Sequence, residues 1–410
     1  MRILVVSQYY FPEQMRITDI CETLVLKGHQ VSIVTGIPNY PQGKFYEGYG
    51  WFKRQRERIN GVEVYRLPII PRGKTFIGLS LNYLSFVFSG WWFSWLLNKD
   101  FEIVFNYEVS PMTQCLVGIW LANRKKIPCV SYITDLWPES VQVMTGITSL
   151  IIIQSIQRMV DSVYNRSTRI LTSSNSFIES IIQRGISQEK IEFWPQYAED
   201  FYQPLKQPYP IIDLLPQDGK LHFVFAGNIG IAQGLEILIH VAEQAKKSFM
   251  EICFVIIGDG RAKESLQRQV ADENLNEYFL FIGKQPATKI PEYLACADAA
   301  LVVLKKSSIF SKTIPAKVQS YLACGIPVIV SADGEIQQVV KEAGAGFIAD
   351  SEDVEGLFKG LVSFSKLTIQ ERESLGYNAK NYSESKFSKE KLICRLEDIF
   401  QLLEQGNDYV

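Results

Sequence analysis

Three clusters in the 410-residue chain have the residue types and spacing to hold an anion. The first is Gly227-Asn228-Ile229-Gly230, between the apolar run Leu221–Phe225 and the amphipathic run Leu235–Ala245. Strand, small-residue turn and helix, in that order, let backbone N–H groups at a helix start approach a phosphate. A second such unit follows, with Ile252–Ile257 leading into Gly258-Asp259-Gly260-Arg261. Arg261 and Lys263 place cations at a helix start, where they oppose the helix dipole and where an anion relieves the misfit. The third cluster runs from Lys305 to Pro327, directly after the strand Ala300–Leu304. It holds Lys305, Lys306, Lys312 and Lys317, and then a helix, Ala316–Cys324, closed by Gly325 with Pro327 beyond. Thr313 or Ser311 is expected to cap that helix, and Lys317 brings charge to its first turn. The chemistry these groups suit is stabilisation of a departing diphosphate. Each cluster has a plain alternative: small residues also make tight turns, and cations also sit on solvated helix starts.

A fourth cluster suits a hydroxyl. Asp135 follows the strand Val130–Ile133, and Trp137, Pro138 and Glu139 come next. A carboxylate at a strand end can orient or deprotonate a hydroxyl, or stabilise positive charge on a sugar ring. The competing reading is a helix N-cap aided by proline. Arg16 and Asp19 open the first helix; Asp19 also serves as dipole compensation, whereas Arg16 there calls for an anion. Tyr40 and Trp137 offer rings for a sugar face, or ordinary loop packing.

The elements that position these groups alternate. Expected strands in the first half are Ile3–Ser7, Val31–Thr35, Val62–Leu67, Ile103–Phe105, Cys129–Ile133, Ile170–Thr172 and Ile191–Phe193. Short β-branched runs between helical patterns imply a parallel sheet covered on both faces. The proline-rich stretch from Gln203 to Pro210, with Pro216-Gln-Asp-Gly219 after it, reads as a linker. Expected strands beyond it are His222–Ala226, Ile252–Ile257, Phe279–Ile282, Ala300–Leu304, Pro327–Val330 and Phe347–Ile348. Ser388 to Leu403 reads as a helix. The fold class is α/β, with two doubly wound Rossmann-like domains across a cleft. The expected boundaries are 1–203, 204–385, and a C-terminal helical segment 386–410 that packs back on the first domain. Ligands in such sheets sit at the carboxyl ends of strands.

Bulk properties exclude several classes. The net charge of −2 gives no argument for nucleic acid as a partner. Seven cysteines without a C-x-x-C pair read as reduced thiols rather than disulfides or a zinc site. The three histidines, His29, His222 and His240, read as structural. The chain enters its first strand at once, with no signal-peptide pattern, and the expected location is cytoplasmic. Thr75 to Asn98 carries no charge and includes Trp91, Trp92, Phe93 and Trp95. A run of about 20 apolar residues is a membrane-span candidate. That reading fails because the strands on either side of it belong to one sheet, and Asn82, Ser85, Ser89 and Ser94 dilute the run. A helix packed on the sheet and a helix lying in the headgroup region both remain. For the second, Arg54, Arg56, Arg58, Arg72 and Lys74 would meet anionic lipid.

The combination resembles the family-four glycosyltransferases of GT-B fold. Within them it is similar to bacterial surface-polysaccharide enzymes related to the colanic-acid and O-antigen N-acetylfucosaminyltransferases. In the first half the resemblance rests on Phe11-Pro-Glu-Gln-Met-Arg16-Ile-Thr-Asp19, Gly36-Ile-Pro-Asn39-Tyr40-Pro41-Gln-Gly43, Tyr46-Glu-Gly-Tyr49 and Thr134-Asp135-Leu-Trp137-Pro-Glu139-Ser140. In the second it rests on Gly227–Glu236, Gly258–Gly260 and Thr313–Pro327. It implies a retaining, metal-independent hexosyltransferase-type enzyme with no cofactor. The donor would be a nucleotide sugar, UDP-linked by resemblance. The acceptor would be a lipid-linked saccharide at the inner face of the cytoplasmic membrane, where the protein would be peripheral. Gly227, Asn228, Gly230, Gly260, Lys263, Thr313, Pro315, Gln319 and Ser320 would then bind the donor. Arg16, Asp19, Asn39, Tyr40, Trp137 and Glu139 would bind the acceptor, and Asp135, Arg261 and Lys317 would carry the chemistry.

The chain departs from the family in two places. Many members have an Arg and a Lys in the turn that here holds Asn228 and Gln233, and a Glu-x7-Glu pair where Lys312 and Ser320 stand. Diphosphate charge would then fall to Arg261, Lys263, Lys317 or the lysines of 305–312. Two other classes remain open: a sugar-nucleotide epimerase that needs no NAD, and a non-catalytic sugar-nucleotide-binding scaffold. The first wants a histidine beside the sugar.

Overall fold

The structure is a computed structural model that describes residues 1–73, 75–205 and 214–406. Lys74 and most of the expected linker, residues 206–213, lie outside that description. The chain divides into two compact units, Met1–Trp194 with Glu390–Val410, and Pro195–Lys389.

In unit 1 the order is β1 (Arg2–Val6), α1 (Arg16–Leu26), β2 (Gln30–Gly36), β3 (Arg56–Ile59), β4 (Val62–Leu67), α2 (Phe76–Leu96), β5 (Ile103–Glu108), α3 (Cys115–Lys125), β6 (Cys129–Ile133), α4 (Glu139–Thr145), α5 (Leu150–Arg166), β7 (Arg169–Thr172), α6 (Asn175–Ile182) and β8 (Ile191–Phe193). The strands form one sheet in the order β3-β4-β2-β1-β5-β6-β7-β8. All pairs are parallel except β3–β4. Strand β3 was not expected, because Arg56-Glu-Arg-Ile59 is a charged, solvated edge without an apolar run. Strands β1, β5 and β6 are almost wholly buried, which is why each reads as a short apolar run rather than an alternation.

In unit 2 the order is β9 (Leu221–Ala226), α7 (Ile237–Lys247), β10 (Ile252–Ile257), α8 (Lys263–Asp272), β11 (Phe279–Gly283), α9 (Ile290–Ala295), β12 (Ala299–Val303), α10 (Ala316–Ala323), β13 (Val328–Ser331), α11 (Glu335–Ala343), β14 (Gly346–Ala349), α12 (Val354–Ser365) and α13 (Ile369–Lys386). Its sheet is wholly parallel, β11-β10-β9-β12-β13-β14. The last helix, α14 (Lys389–Gly406), returns the chain to unit 1. There the Trp194 indole donates to the Leu392 carbonyl at 2.8 Å, and Glu397 pairs with His29 at 2.8 Å and Lys27 at 2.9 Å.

Strand order reverses between β1 and β5 in unit 1, and between β9 and β12 in unit 2. At such a reversal the connections leave to opposite sides and open a crevice at the carboxyl ends. The two crevices are where the chemistry-bearing residues collect.

Helix α2 is turned inside out. Its small polar residues face the protein: Asn82 is 0 % exposed, and Ser94 is buried. Asn82 accepts from the Gln8 amide at 2.8 Å and donates to the Ile70 carbonyl at 2.6 Å, and Ser89 donates to the Pro68 carbonyl at 2.6 Å. Its large apolar residues Ile77, Leu81, Leu84, Phe88, Trp92 and Trp95 face out, with Phe88 69 % exposed. Their spacing of three or four residues makes one stripe along the helix. The serines and asparagine that dilute the run are therefore the inward face, not interruptions of the outward one.

Candidate functional site

In unit 2 the turns after β9 and β10 stack on each other. A Cβ on Gly258 (φ +148°) would lie 1.8 Å from the Gly227 carbonyl oxygen, and one on Gly260 would lie 2.3 Å from that of Ile229. The Ile229 N–H donates to the Asp259 carbonyl at 2.8 Å, and the Ala262 N–H donates back to Ile229 at 3.0 Å. The glycines are thus required by backbone meeting backbone, which a side chain would prevent. Asn228 is exposed and its amide lies over both turns, 2.7 Å from where a Gly230 Cβ would stand.

Lys317 enters this corner from α10. Its Nζ donates to Gln233 Oε1 at 3.0 Å and stands 3.6 Å from the centroid of the Phe225 ring. The same Nζ would be 3.3 Å from a Cβ on Gly227. Helix α10 is anchored by the Tyr321 hydroxyl, which accepts from the Ala226 N–H at 2.9 Å and donates to its carbonyl at 3.2 Å. Burial lowers the Lys317 ammonium to about 7. Its neighbours are the Gln233 amide and the Phe225 ring, and no carboxylate among the described residues forms an ion pair with it.

The other expected donor residues divide. Arg261 is exposed. Lys263 leans on Asp259 of its own turn at 3.8 Å, so its charge is met locally. Neither Thr313 nor Ser311 caps α10, whose N-cap is Pro315 without a side-chain bond. Thr313 donates to the Phe310 carbonyl at 2.9 Å and Ser311 to the Ser308 carbonyl at 3.1 Å, closing the turn that precedes the helix. Gln319 is fully buried, with its amide turned back on Ala316 and Pro315. The Ser320 hydroxyl also turns back, toward Ala316 at 3.4 Å. Gln319 and Ser320 therefore hold their own helix, and the expectation that they face a ligand is corrected.

In unit 1 the corresponding corner is built on two carboxyl groups. Asp135, just past β6, accepts hydrogen bonds from the hydroxyls of Ser110 and Ser140. It is not a helix cap: α4 begins after Pro138 without a side-chain bond. Burial raises its pKa, and the two serines oppose that rise. Ser110 also accepts from the Trp137 indole at 2.9 Å. Glu108, the last residue of β5, was not expected as a site residue. It is 0 % exposed and accepts from the N–H groups of Thr134 and Asp135 at 3.1 Å each. Burial first, and the Asp135 charge second, push the Glu108 carboxyl well above the carboxylate range. A carboxylate ending an otherwise apolar strand was the signal in the sequence.

Glu139 is not free for a ligand, since both its oxygens accept from Arg184 at 2.8 and 2.9 Å. Arg184 also donates to the Trp137 carbonyl at 2.9 Å and reaches Asp161 at 3.3 Å, so the pair fixes the turn that carries Trp137. Asn39 is also spent on structure: it is buried, donating to the Ile37 carbonyl at 3.0 Å and accepting from the Arg72 N–H at 2.8 Å. Tyr40 is half-buried and its ring lies 5.4 Å from that of Tyr9. Arg16 and Asp19 occupy the first turn of α1, both half-buried. Glu13 ties the 39–40 loop by accepting from the Asn39 and Tyr40 N–H groups at 2.7 Å, and burial pushes its carboxyl up to about 7. His29 and His222 stand at strand starts, away from both crevices, and His240 is exposed on α7. Among the described residues no His/Cys/Asp/Glu group suits a metal ion.

Comparison with known proteins agrees with this architecture. The family description "Glycosyl transferases group 1" matches residues 212–382, and "Glycosyl transferase 4-like domain" matches residues 14–196. The WcaI protein of Escherichia coli (strain K12), named as a colanic acid biosynthesis glycosyl transferase, is 25 % identical over 96 % of this chain and 98 % of its own. Sucrose-phosphate synthase of Thermosynechococcus elongatus has the same fold, with a TM-score of 0.75 at 16 % identity over 99 % of both chains. HepE of Anabaena, solved with UDP, gives 0.71 at 15 % identity over 98 % of this chain and 100 % of that one. Each half is matched by a glycosyltransferase domain, and each half is a Rossmann-like parallel sheet of the GT-B kind. Residues 212–382 match the group 1 family and residues 14–196 the 4-like domain, and the chain is a glycosyltransferase.

Proposed function

We propose that this glycosyltransferase moves a sugar, with retention, from a nucleotide-sugar donor to a lipid-linked saccharide in the synthesis of a surface polysaccharide. The observation that carries the reading is Lys317, an ammonium that pairs with no carboxylate among the described residues and is held beside the stacked turns at the strand reversal of unit 2. Lys317 is half-buried, and a cation drawn partly out of water gains when an anion arrives to meet it. A nucleoside diphosphate supplies that anion. A uridine nucleotide as donor is supported by HepE, which was solved with UDP, and the polysaccharide by the name of WcaI.

In this reading unit 2 holds the donor. Lys317 and Arg261, with the N–H groups of the Gly227–Gly230 and Gly260 turns, meet the charge that grows on the diphosphate as its bond to the anomeric carbon breaks. Unit 1 holds the acceptor, whose hydroxyl is oriented by Asp135 with Trp137 beside it. The hydroxyl attacks the face that the diphosphate leaves, and its proton passes to a departing phosphate oxygen. Nucleoside diphosphate release from a UDP-sugar should begin only when a lipid-diphosphate saccharide is added. A rate that is the same with and without acceptor rules the transferase reading out.

The outward stripe of α2 supports a bilayer as partner. Over 21 residues it extends about 30 Å. Among the described residues no helix is long and apolar enough to cross a membrane, so the fitting geometry is a helix lying in the interface. Arg124 stands 4.2 Å over the Trp95 ring, which puts a cation at the end of the stripe. Phe88→Gln with Trp92→Gln should lower partition into vesicles containing phosphatidylglycerol at least tenfold without loss of melting temperature, as both side chains are exposed. Unchanged co-sedimentation would remove the membrane from the account.

A further inference from the structure

The geometry points to Arg72 as the residue that binds the phosphate of the acceptor, an anion subsite in unit 1 distinct from the donor corner. The inference rests on the reading of a lipid-diphosphate acceptor given above. Arg72 precedes α2 and is gripped from several sides. Its N–H donates to Asn39 Oδ1 at 2.8 Å. Its carbonyl oxygen would lie 2.2 Å from a Cβ on Gly43 (φ +70°), so only glycine admits that approach. The 39–43 loop that holds it is itself fixed by Glu13 through the Asn39 and Tyr40 N–H groups. The backbone of Arg72 is thus placed by a rigid loop, which is what a binding arginine needs.

The guanidinium is surrounded by tyrosines. Nη1 donates to the Tyr9 hydroxyl at 3.3 Å, and Cζ stands 5.1 Å from the centroid of the Tyr40 ring. Tyr83, on α2, sets its ring against that of Trp137, 6.4 Å between centroids. No carboxylate among the described residues forms an ion pair with Arg72. The contrast with its neighbours is informative: Arg56 pairs with Glu63, and Arg66 pairs with Glu57 at 2.6 Å. Tyrosine faces and hydroxyls hold a guanidinium in place without neutralising it. They leave its planar fork of donors for an anion of matching geometry, and phosphate is that anion.

Position decides which phosphate. Arg72 lies at the root of α2, next to Ile77 and Leu81 at the start of the apolar stripe. Asp135 is linked to α2 through Tyr83, whose ring stands 6.4 Å from that of Trp137, and through Ser110, which bonds both the Trp137 indole and Asp135. An acceptor with its chain along α2 and its diphosphate at Arg72 brings its sugar to Asp135. The order chain, phosphate, sugar in the ligand follows the order stripe, Arg72, Asp135 in the protein.

The test measures binding of farnesyl diphosphate and farnesol to the full chain saturated with UDP, so that the donor corner is occupied. Partition into phosphatidylglycerol vesicles is measured alongside. Wild type should bind farnesyl diphosphate at least tenfold more tightly than farnesol. Arg72→Gln should erase that preference, leave UDP affinity and vesicle partition at wild-type values, and keep the melting temperature. Arg72→Lys should recover part of the preference, showing that charge rather than loop shape was lost. If wild type does not prefer the diphosphate, the acceptor reading fails and this inference with it. If wild type prefers it and Arg72→Gln does too, this inference alone is overturned. Loss of vesicle partition with the preference intact would overturn it as well, and would assign Arg72 to a lipid headgroup.

Discussion

Lys317→Met is expected to lower turnover by about 10²–10³-fold, the scale on which removal of one oriented charge-stabilising group acts, and to weaken UDP binding in parallel. The same substitution is expected to raise the melting temperature of the ligand-free protein below neutral pH. Methionine keeps the length of the side chain and removes an ammonium that burial disfavours. Opposite signs for activity and stability separate a functional lysine from a structural one. The pH dependence follows from the lowered value of about 7. Between that value and the ordinary lysine range the unfolded chain binds a proton that the folded chain does not. Ligand-free stability therefore rises with pH across that window, and the rise is absent in Lys317→Met. Diphosphate restores the charged form, so UDP binding at pH 8 should take up about one proton. Its affinity should fall as pH climbs above 7. Calorimetry in two buffers of different ionisation enthalpy measures the uptake. Binding without proton uptake, or full turnover in the variant, would remove Lys317 from the donor site.

Asp135→Asn should reduce turnover by about 10²-fold, the scale on which a misplaced reactant slows a reaction, with UDP affinity unchanged because the donor corner is built from other residues. A finer result follows from its two serines. Each hydroxyl lowers the Asp135 pKa against the rise caused by burial. Removing either, as Ser110→Ala or Ser140→Ala, should move the acid limb of the rate profile to higher pH, since the carboxylate then protonates sooner on acidification. A limb that stays in place in both variants means that Asp135 is not the group being titrated.

Much of this fold was legible because parallel strands buried on both faces read as short apolar runs whatever their neighbours. The reading failed where the physics differs. Strand β3 is a charged edge, and its residues have no core to report. On α2 the sequence showed a mixture of large apolar and small polar residues but not which set faced inward. That depends on a hydrogen-bonding wall formed by Gln8, Pro68 and Ile70. The positions of Asp135 and Lys317 at the two crevices were legible, since each comes after a strand that ends there. Gln319 and Ser320 were misplaced because spacing along a helix does not reveal that its first turn bonds to itself. Arg72 was grouped with nearby basic residues, and only the tertiary structure separates an arginine caged by tyrosines from one paired with a glutamate.

The return of α14 to unit 1 has a consequence for synthesis on the ribosome. Phe400 packs against Phe105 with ring centroids 5.6 Å apart, and Arg395 meets Glu192 at 2.5 Å. Unit 2 is one continuous segment and has all its residues before α14 emerges. Unit 1, although its sheet is translated first, must wait with one flank bare until α14 has left the exit tunnel. A chain cut before α14 would therefore damage the unit whose sheet was made first.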